Sequence, residues 1–399
     1  MSKVKLKNYG LKDIIYFTNK PKEREKRIQE TAPERSGAMF KCNIKAAERH
    51  PDEQIFVIES VTDRGKGVKT YRLRKKNGTN PAFFRAGQYV VIRQEIEGKL
   101  IARPVSISSG PAETLEGYID VTVKEVENGF LSKYIIENWK AGDEVKTSGP
   151  QGLFYYEFFR DENHVIACSG GSGITPILSM ARAIASGDED FRLTVLYGSK
   201  TKKDILFAEE FDEVMKATDK VKLVNVLSDS RAKGCEHGFI TAELIKKYAG
   251  DEKFSLFASG PQAMYEFLDA EAEKLELDLK HYRKEIFGSI KEPWTLPGYP
   301  AEAKDKVFSL KVKMCGDEYD IPCNANENMM VALERAGIAG PNRCRGGVCG
   351  WCRSRLVEGD VFIPEITDGR RMADKEYGYI HPCAAFALSD AVLEMPNRK

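Results

Sequence analysis

The chain has 399 residues, enough for two to four domains at ~100–200 residues each. Hydrophobic residues make up 42% and charged residues 30%, an ordinary globular composition. Lys+Arg number 61 and Asp+Glu 60, a net charge of +1 that gives no support for nucleic-acid or membrane-surface binding. No apolar run approaches the ~20 residues of a membrane span, and the N-terminus has no apolar h-region of a signal peptide. The five His residues form no HExxH motif, which excludes the familiar zinc-protease arrangement.

Residues 1–50 form a basic extension with 13 Lys/Arg against 6 Asp/Glu. Its stretch Lys20–Gly37 is polar and broken by Pro and Gly, which reads as a solvated arm. Docking of an acidic partner is the alternative. From Gln54 to Gly149, short stretches rich in β-branched and aromatic residues alternate with turns. They are 54–62, 68–74, 87–93, 103–109 and 117–126, a pattern that predicts an antiparallel β-barrel. From His164 to Gly288, apolar strands (164–168, 192–198, 221–227, 254–259) alternate with helical stretches (176–186, 207–218). This predicts an α/β domain with a doubly wound parallel sheet. Residues 291–304 hold three prolines and no periodicity, which reads as a linker. The last unit, 305–399, opens with a hairpin and one helix, NMMVALERAG, that leads into a cysteine cluster.

The nine cysteines are an odd number in a long chain. A reducing cytoplasm is therefore expected, without a disulfide framework. Cys344, Cys349, Cys352 and Cys383 are spaced C-x4-C-x2-C-x30-C. Four thiolates at this spacing suit a plant-type [2Fe–2S] cluster. Gly346, Gly347 and Gly350 let the loop wrap tightly around it. A four-cysteine zinc site is the alternative, but it usually takes two short knuckles, and here the fourth Cys stands alone. Cys315 and Cys323 read as small apolar residues inside the hairpin.

Three further motifs are weaker alone. CSGGSGITP (168–176) follows a strand and precedes a helix, the setting of a dinucleotide-pyrophosphate site. Its Gly171, Gly173 and Pro176 give G-x-G-x-x-P, and a glycine turn after a strand is often only a turn. RPVS holds Arg103, Pro104, Val105 and Ser106, with a guanidinium suited to phosphate and a hydroxyl suited to a ring. GFLS holds Gly129, Phe130, Leu131 and Ser132 at the start of a helix, where backbone N–H groups can cradle phosphate. The residues alone also fit a strand arginine, strand hydroxyls and a helix cap.

Taken in order, these blocks resemble the ferredoxin–NADP⁺ reductase superfamily. RPVS resembles its R-x-Y-S flavin motif, and GFLS its G-x-x-S/T flavin-phosphate motif. GGSGITP is similar to its nucleotide motif, SGPQAM (259–264) to its C-G-P-x-x-M block, and EIFG (285–288) to its closing E-x-F segment. With the C-terminal cysteines, residues 54–399 resemble phthalate dioxygenase reductase-type proteins. Two departures stand out: Val105 replaces the usual Tyr, and Ser259 replaces a frequent Cys.

The resemblance implies an FAD-binding barrel (51–158), an NAD(P)-binding domain (159–290), a linker (291–304) and a β-grasp-like ferredoxin domain (305–399). It implies electron flow from NAD(P)H through flavin to the cluster, then to an acceptor protein docked on the ferredoxin domain. FAD is the expected flavin, with FMN the alternative. Ser106, Ser259 and Glu285 are implied as catalytic. Arg103 to Ser106 and Gly129 to Ser132 are implied for flavin. Gly170, Gly171, Gly173, Thr175, Pro176, Gly260 and Pro261 are implied for the dinucleotide, and the four cysteines for iron. Asp229, an acidic residue just past the strand 221–227, suits the ribose and favours NADH, whereas Arg231 beside it would suit a 2′-phosphate. The competing reading is an electron-transfer subunit of a larger complex, like that of dihydroorotate dehydrogenase, that does not itself use NAD(P)H.

Overall fold

The computed structural model describes residues 40–396 except Asn128, together with Lys20, residues 22–24, 26, 27 and Glu30. The chain divides into two units, residues 1–49 and 50–399. In the first, helix α1 (Lys41–Arg49) buries no residue. Most of the expected solvated arm, Lys20–Gly37, lies outside the described residues.

The second unit begins with β1 (Gln54–Gly65), β2 (Val68–Lys75), β3 (Tyr89–Ile96), β4 (Lys99–Ser106), β5 (Tyr118–Lys124), helix α2 (Phe130–Asn138) and β6 (Glu144–Thr147). The strands form one antiparallel sheet in the order β4-β3-β6-β1-β2-β5. The sheet curls until Ile107, just past β4, pairs with Val121 of β5. Alternation drives this: Phe56, Ile58, Tyr71, Leu73, Val90, Ile92 and Val121 all point into one core. Helix α2 closes one end, where Tyr71 sets its ring edge-on to Trp139 and donates its O–H to the Ile135 carbonyl.

Next come β7 (His164–Gly170), α3 (Ile174–Ser186), β8 (Arg192–Ser199), α4 (Ala208–Ala217), β9 (Val221–Leu227), β10 (Glu236–His237), α5 (Ala242–Ala249), β11 (Ser255–Ser259), α6 (Gln262–Glu273) and β12 (Tyr282–Lys284). The strands are all parallel, in the order β10-β9-β8-β7-β11-β12. Every residue of β7 is buried because both faces of the sheet are covered. Val165 and Ala167 serve one core, Ile166 and Cys168 the other. The order reverses between β7 and β11, so their C-terminal ends open on the crevice where doubly wound sheets bind ligands.

The last part contains β13 (Val307–Met314), β14 (Asp317–Asn324), α7 (Met329–Arg335), β15 (Ser354–Glu358), β16 (Val361–Phe362), α8 (Met372–Glu376), β17 (Tyr379–Ile380), β18 (Phe386–Ala387) and β19 (Ala391–Glu394). A mixed sheet runs β14-β13-β19-β15-β17, with β13 and β19 parallel, and β16 pairs with β18. Helix α7 lays Met329, Met330, Ala332 and Leu333 into the core of this sheet.

Two expectations need correction. The Pro-rich 291–304 segment does not behave as a contact-poor connector. Its Tyr299 and Ala303 are buried with Phe362 and Phe386, and Trp294 and Leu296 pack against that cluster. Its apolar side chains anchor it although they follow no helical or strand period. Cys323 is buried as expected, but Cys315 is exposed at the β13–β14 turn with φ +57°.

Candidate active site and cluster loop

Three distant segments meet at one carboxyl group. Ser106 ends β4, Ser259 ends β11, and Glu285 follows β12 directly. The Ser106 Oγ donates to Glu285 Oε1 at 3.0 Å, and the Ser259 Oγ donates to Oε2 at 2.9 Å. The backbone of Glu285 is also tied down: its N–H donates to the Ala258 carbonyl, and its carbonyl accepts from the Tyr265 O–H. Burial pushes the Glu285 carboxyl up to about 8, while the hydrogen bonds from Ser259 and Ser106 pull it down. Burial thus biases the carboxyl at this junction between barrel and parallel sheet toward its neutral form, against the two serine hydroxyls that favour the charged one.

Beside the junction lies a cavity of about 700 Å³. The glycine turn after β7 forms its floor. Gly171 has φ +55°, and a Cβ on Gly173 would stand 2.2 Å from the Ser259 carbonyl oxygen. Only glycine permits this approach. Gly170 and Pro261 line the cavity, while Gly260 packs against the Met264 sulfur. Thr175 Oγ1 donates to the Ser172 carbonyl at 2.8 Å, which tightens the turn, and Pro176 is buried in the first turn of α3. Ser228 also lines the cavity and donates from its Oγ to the exposed Asp229 carboxylate at 2.6 Å, so Asp229 stands behind it.

Sequence reading missed the cations here. Lys124, Lys200 and Lys203 line the same cavity, and Lys124 Nζ lies 3.6 Å from where a Gly171 Cβ would be. They come from β5 and from the segment after β8, and no local motif marks them. Arg64 and Lys66, also on the wall, are engaged by Glu210 and Asp204. A glycine turn at a helix N-terminus, with lysines around it, suits a pyrophosphate.

On the barrel, Arg103 Nη1 donates to the Ala102 carbonyl and to Glu334 of α7 at 2.8 Å. Its Nε and Nη2 donors remain for a phosphate. Helix α2 starts at Gly129, which supplies no side-chain cap, so its first-turn N–H groups suit an anion. Ser132 Oγ accepts from the Val126 N–H at 3.1 Å and holds that turn closed. Phe130 is exposed, but Leu131 points into the barrel core, so its contribution to a ligand is through its backbone. Pro104 and Val105 lie within β4 opposite Val91 and Val90. The guanidinium of Arg103 and the uncapped end of α2 are each of a kind that suits a phosphate.

The four cysteines are brought together. Cys344, Cys352 and Cys383 are buried, whereas Cys349 is exposed. Cys352 Sγ lies 3.4 Å from Cys383 Sγ, and Cys344 reaches both Cys349 and Cys383. The sulfurs run as a chain, Cys349–Cys344–Cys383–Cys352, which suits two irons with two thiolates each. Gly347 has φ +80°, and a Cβ there would stand 2.2 Å from the Thr367 carbonyl oxygen. Cys344 also packs with Tyr89, Val91, Ala102 and Phe287, which puts the cluster loop against the barrel beside the Glu285 segment.

Residues 56–156 match the family described as oxidoreductase FAD-binding domain, and residues 168–270 the oxidoreductase NAD-binding domain. Residues 312–388 match the 2Fe-2S iron-sulfur cluster binding domain. NADH-cytochrome b5 reductase 1 of Lodderomyces elongisporus is 31% identical over 239 residues, 57% of this chain and 77% of that protein. The chain belongs to the ferredoxin–NADP⁺ reductase superfamily. The glycine betaine monooxygenase reductase subunit of Chromohalobacter salexigens is 26% identical over 325 residues, 78% of this reductase and 87% of that subunit. Phthalate dioxygenase reductase shares the fold at a TM-score of 0.62 and 23% identity, over 86% of this chain and 97% of that one. The reductase takes electrons from NAD(P)H through FAD to a [2Fe–2S] cluster and on to a partner protein. No helix among the described residues is long and apolar enough to cross a membrane.

Proposed function

We propose that this chain is the reductase component of an oxygenase-type system. Its flavin lies on the barrel at 51–158, its dinucleotide on 159–290 and its cluster in 305–399. The observation that carries the reading is the Ser106–Glu285–Ser259 junction, which ties the end of a flavin-barrel strand to the end of a nucleotide-sheet strand. When bound, the flavin accepts a two-electron hydride and releases electrons singly, and the cluster carries them one at a time.

The protein's part is to orient and to exclude water. Ser259 holds the nicotinamide end of the cavity, and Ser106 presents its hydroxyl to the flavin ring. Glu285 keeps the two hydroxyls in register and, as a neutral acid, adds no charge that would oppose transfer. Lys124 and the glycine turn of Gly170, Gly171 and Gly173 bind pyrophosphate, with Thr175, Pro176, Gly260 and Pro261 shaping that floor. Asp229 faces the ribose. Arg103 and the N-terminus of α2, from Gly129 to Ser132, bind flavin phosphate. Cys349 and the half-exposed Val348 bring the cluster edge to the surface, where the acceptor docks. Nine cysteines without a disulfide among them suit the cytoplasm.

The competing reading, a subunit that does not use NAD(P)H, is disfavoured by the cavity that Lys124, Lys200 and Lys203 line together with the glycine turn after β7. Anaerobic stopped-flow mixing with NADH and NADPH tests this. Rapid flavin bleaching followed by the paramagnetic signal of a reduced [2Fe–2S] cluster is expected. Flavin that neither donor bleaches would refute the reading.

A further inference from the structure

The boundary between barrel and ferredoxin domain contains a buried ion network. Glu334, near the end of α7, is almost fully buried. Its Oε1 accepts from Arg103 Nη1 at 2.8 Å and its Oε2 from Arg345 Nη2 at 3.0 Å. The Ala102 N–H also points at Oε1, at 3.5 Å. One carboxylate thus joins Arg103 of the RPVS flavin motif to the residue after Cys344 in the cluster loop.

The charges do not cancel. Two guanidinium groups share one carboxylate, and Arg345 is only 1% exposed. Its Nε and Nη1 have no hydrogen-bond partner within the protein. Buried donors of this kind are costly unless an anion faces them. Arg345 sits beside the thiolates of the cluster loop, and Arg103 keeps free donors on the barrel side. The network therefore has an anionic group expected at each end and a single carboxylate between them.

We propose that Glu334 is a positioning residue that latches the ferredoxin domain onto the flavin barrel, and so sets how well electrons cross between them. The proposal rests on the reading above for the identity of the two redox groups. The latch itself rests on the ion network. Apolar contacts of Tyr89, Val91, Ala102 and Phe287 with Cys344 supply area at this boundary but little direction. A two-armed carboxylate supplies direction, because both guanidinium groups must be in place to satisfy it. By linkage, a ligand that immobilises Arg103 also favours the docked ferredoxin domain, and docking favours that ligand.

The test uses the full chain and two variants. Glu334→Gln keeps the shape but removes the charge. Glu334→Leu/Arg345→Met replaces the pair by apolar groups of similar size, an exchange that buried ion pairs often tolerate without loss of folding. Amide exchange across Lys99–Ser106 and Met329–Arg335 should speed up about tenfold in both variants. Bleaching of the flavin by NAD(P)H should stay within about twofold of wild type, while cluster reduction slows about tenfold or more. A purely structural defect would lower both rates together and would overturn the proposal. Unchanged exchange with unchanged cluster reduction in the double variant would also overturn it. If wild-type flavin is not bleached at all, the functional reading fails, and the exchange arm alone decides the latch.

Discussion

The flavin barrel meets its two neighbours through junctions of opposite character. Toward the nucleotide sheet, the contact is two hydroxyls on a buried carboxyl that desolvation biases toward its neutral form. Toward the ferredoxin domain, it is two guanidinium groups on one carboxylate, with Tyr89 and Phe287 packed edge-on nearby. Under the proposed function, the difference matches what each junction would pass. A hydride needs two rings held in contact in a dry, neutral pocket, because water and stray charge would divert it. A single electron needs only a fixed separation, and charge there can balance the charge that the cluster gains. Neutral junctions are thus suited to chemistry and ionic ones to alignment.

The largest effect should come from removing the far end of the ionic side. Cys349→Ser leaves the Ser106–Glu285–Ser259 junction untouched but deprives one iron of a thiolate. Transfer to a one-electron protein acceptor should fall at least about a hundredfold, while NAD(P)H-driven reduction of a dye stays within about twofold. Iron analysis and the paramagnetic signal check that the cluster is the part lost. Wild-type transfer in this variant would mean that electrons leave directly from flavin.

The neutral junction is broken by Ser259→Ala. One of the two bonds to Glu285 disappears, and with it the hydroxyl proposed to face the nicotinamide. Flavin bleaching should slow about thirty- to a hundredfold, with cluster content unchanged. Glu285→Gln sharpens the same comparison through pH. The folded-state pKa of Glu285 is raised from 4.5 to about 8. Between those values the folded state holds a proton that the unfolded state has released. Stability from this group is therefore fully present below about 4.5, falls as pH rises, and is gone above about 8. The slope should approach ~1.4 kcal/mol per pH unit in that window and vanish in Glu285→Gln. Denaturant titrations at pH 5, 6.5 and 8 measure it.

The two junctions also differ in how much of them was legible beforehand. Cys344, Cys349, Cys352 and Cys383 could be read because three of them sit in one short loop, and spacing alone carries the chemistry. Ser106, Ser259 and Glu285 could be named only through resemblance, since each is ordinary in its own segment. Glu334 and Arg345 were not found at all. In the sequence, Glu334 is one more charged residue on an amphipathic helix, and only packing against β4 makes it special. Lys124 was hidden in the same way, at the end of a strand that faces a loop 47 residues further on. The barrel and the parallel sheet were legible because period-two and fully buried strands leave strong patterns. The 291–304 segment misled because three prolines announced a linker, whereas Tyr299 and Trp294 follow no period that a pattern search detects.

A smaller effect is expected where Lys124 faces the glycine turn. Lys124→Gln removes one cation beside the proposed pyrophosphate site but leaves the backbone donors. KM for the dinucleotide should rise about five- to tenfold with kcat nearly unchanged, the sign of lost uniform binding. The defect should shrink as salt is raised, because screening weakens the wild-type attraction first. A fall in kcat instead would mean that Lys124 acts at the neutral junction itself.

The smallest effect concerns the choice between NADH and NADPH. Ser228 lines the cavity at the end of β9, and its hydroxyl is committed to Asp229. The Asp229 N–H is in turn held by the Lys200 carbonyl at 2.9 Å, which fixes its backbone beside the cavity wall. An acidic group beside the ribose accepts hydrogen bonds from its hydroxyls and repels a 2′-phosphate. Lys200 and Lys203 on the same wall oppose that repulsion. The two influences leave a modest preference for NADH, about three- to tenfold in kcat/KM. Asp229→Ala removes the repulsion and keeps both lysines, so kcat/KM for NADPH should rise about threefold while that for NADH falls. Steady-state kinetics with both donors measure this. A wild-type enzyme that already favours NADPH would show that the lysines outweigh Asp229 and that the carboxylate serves only to hold Ser228.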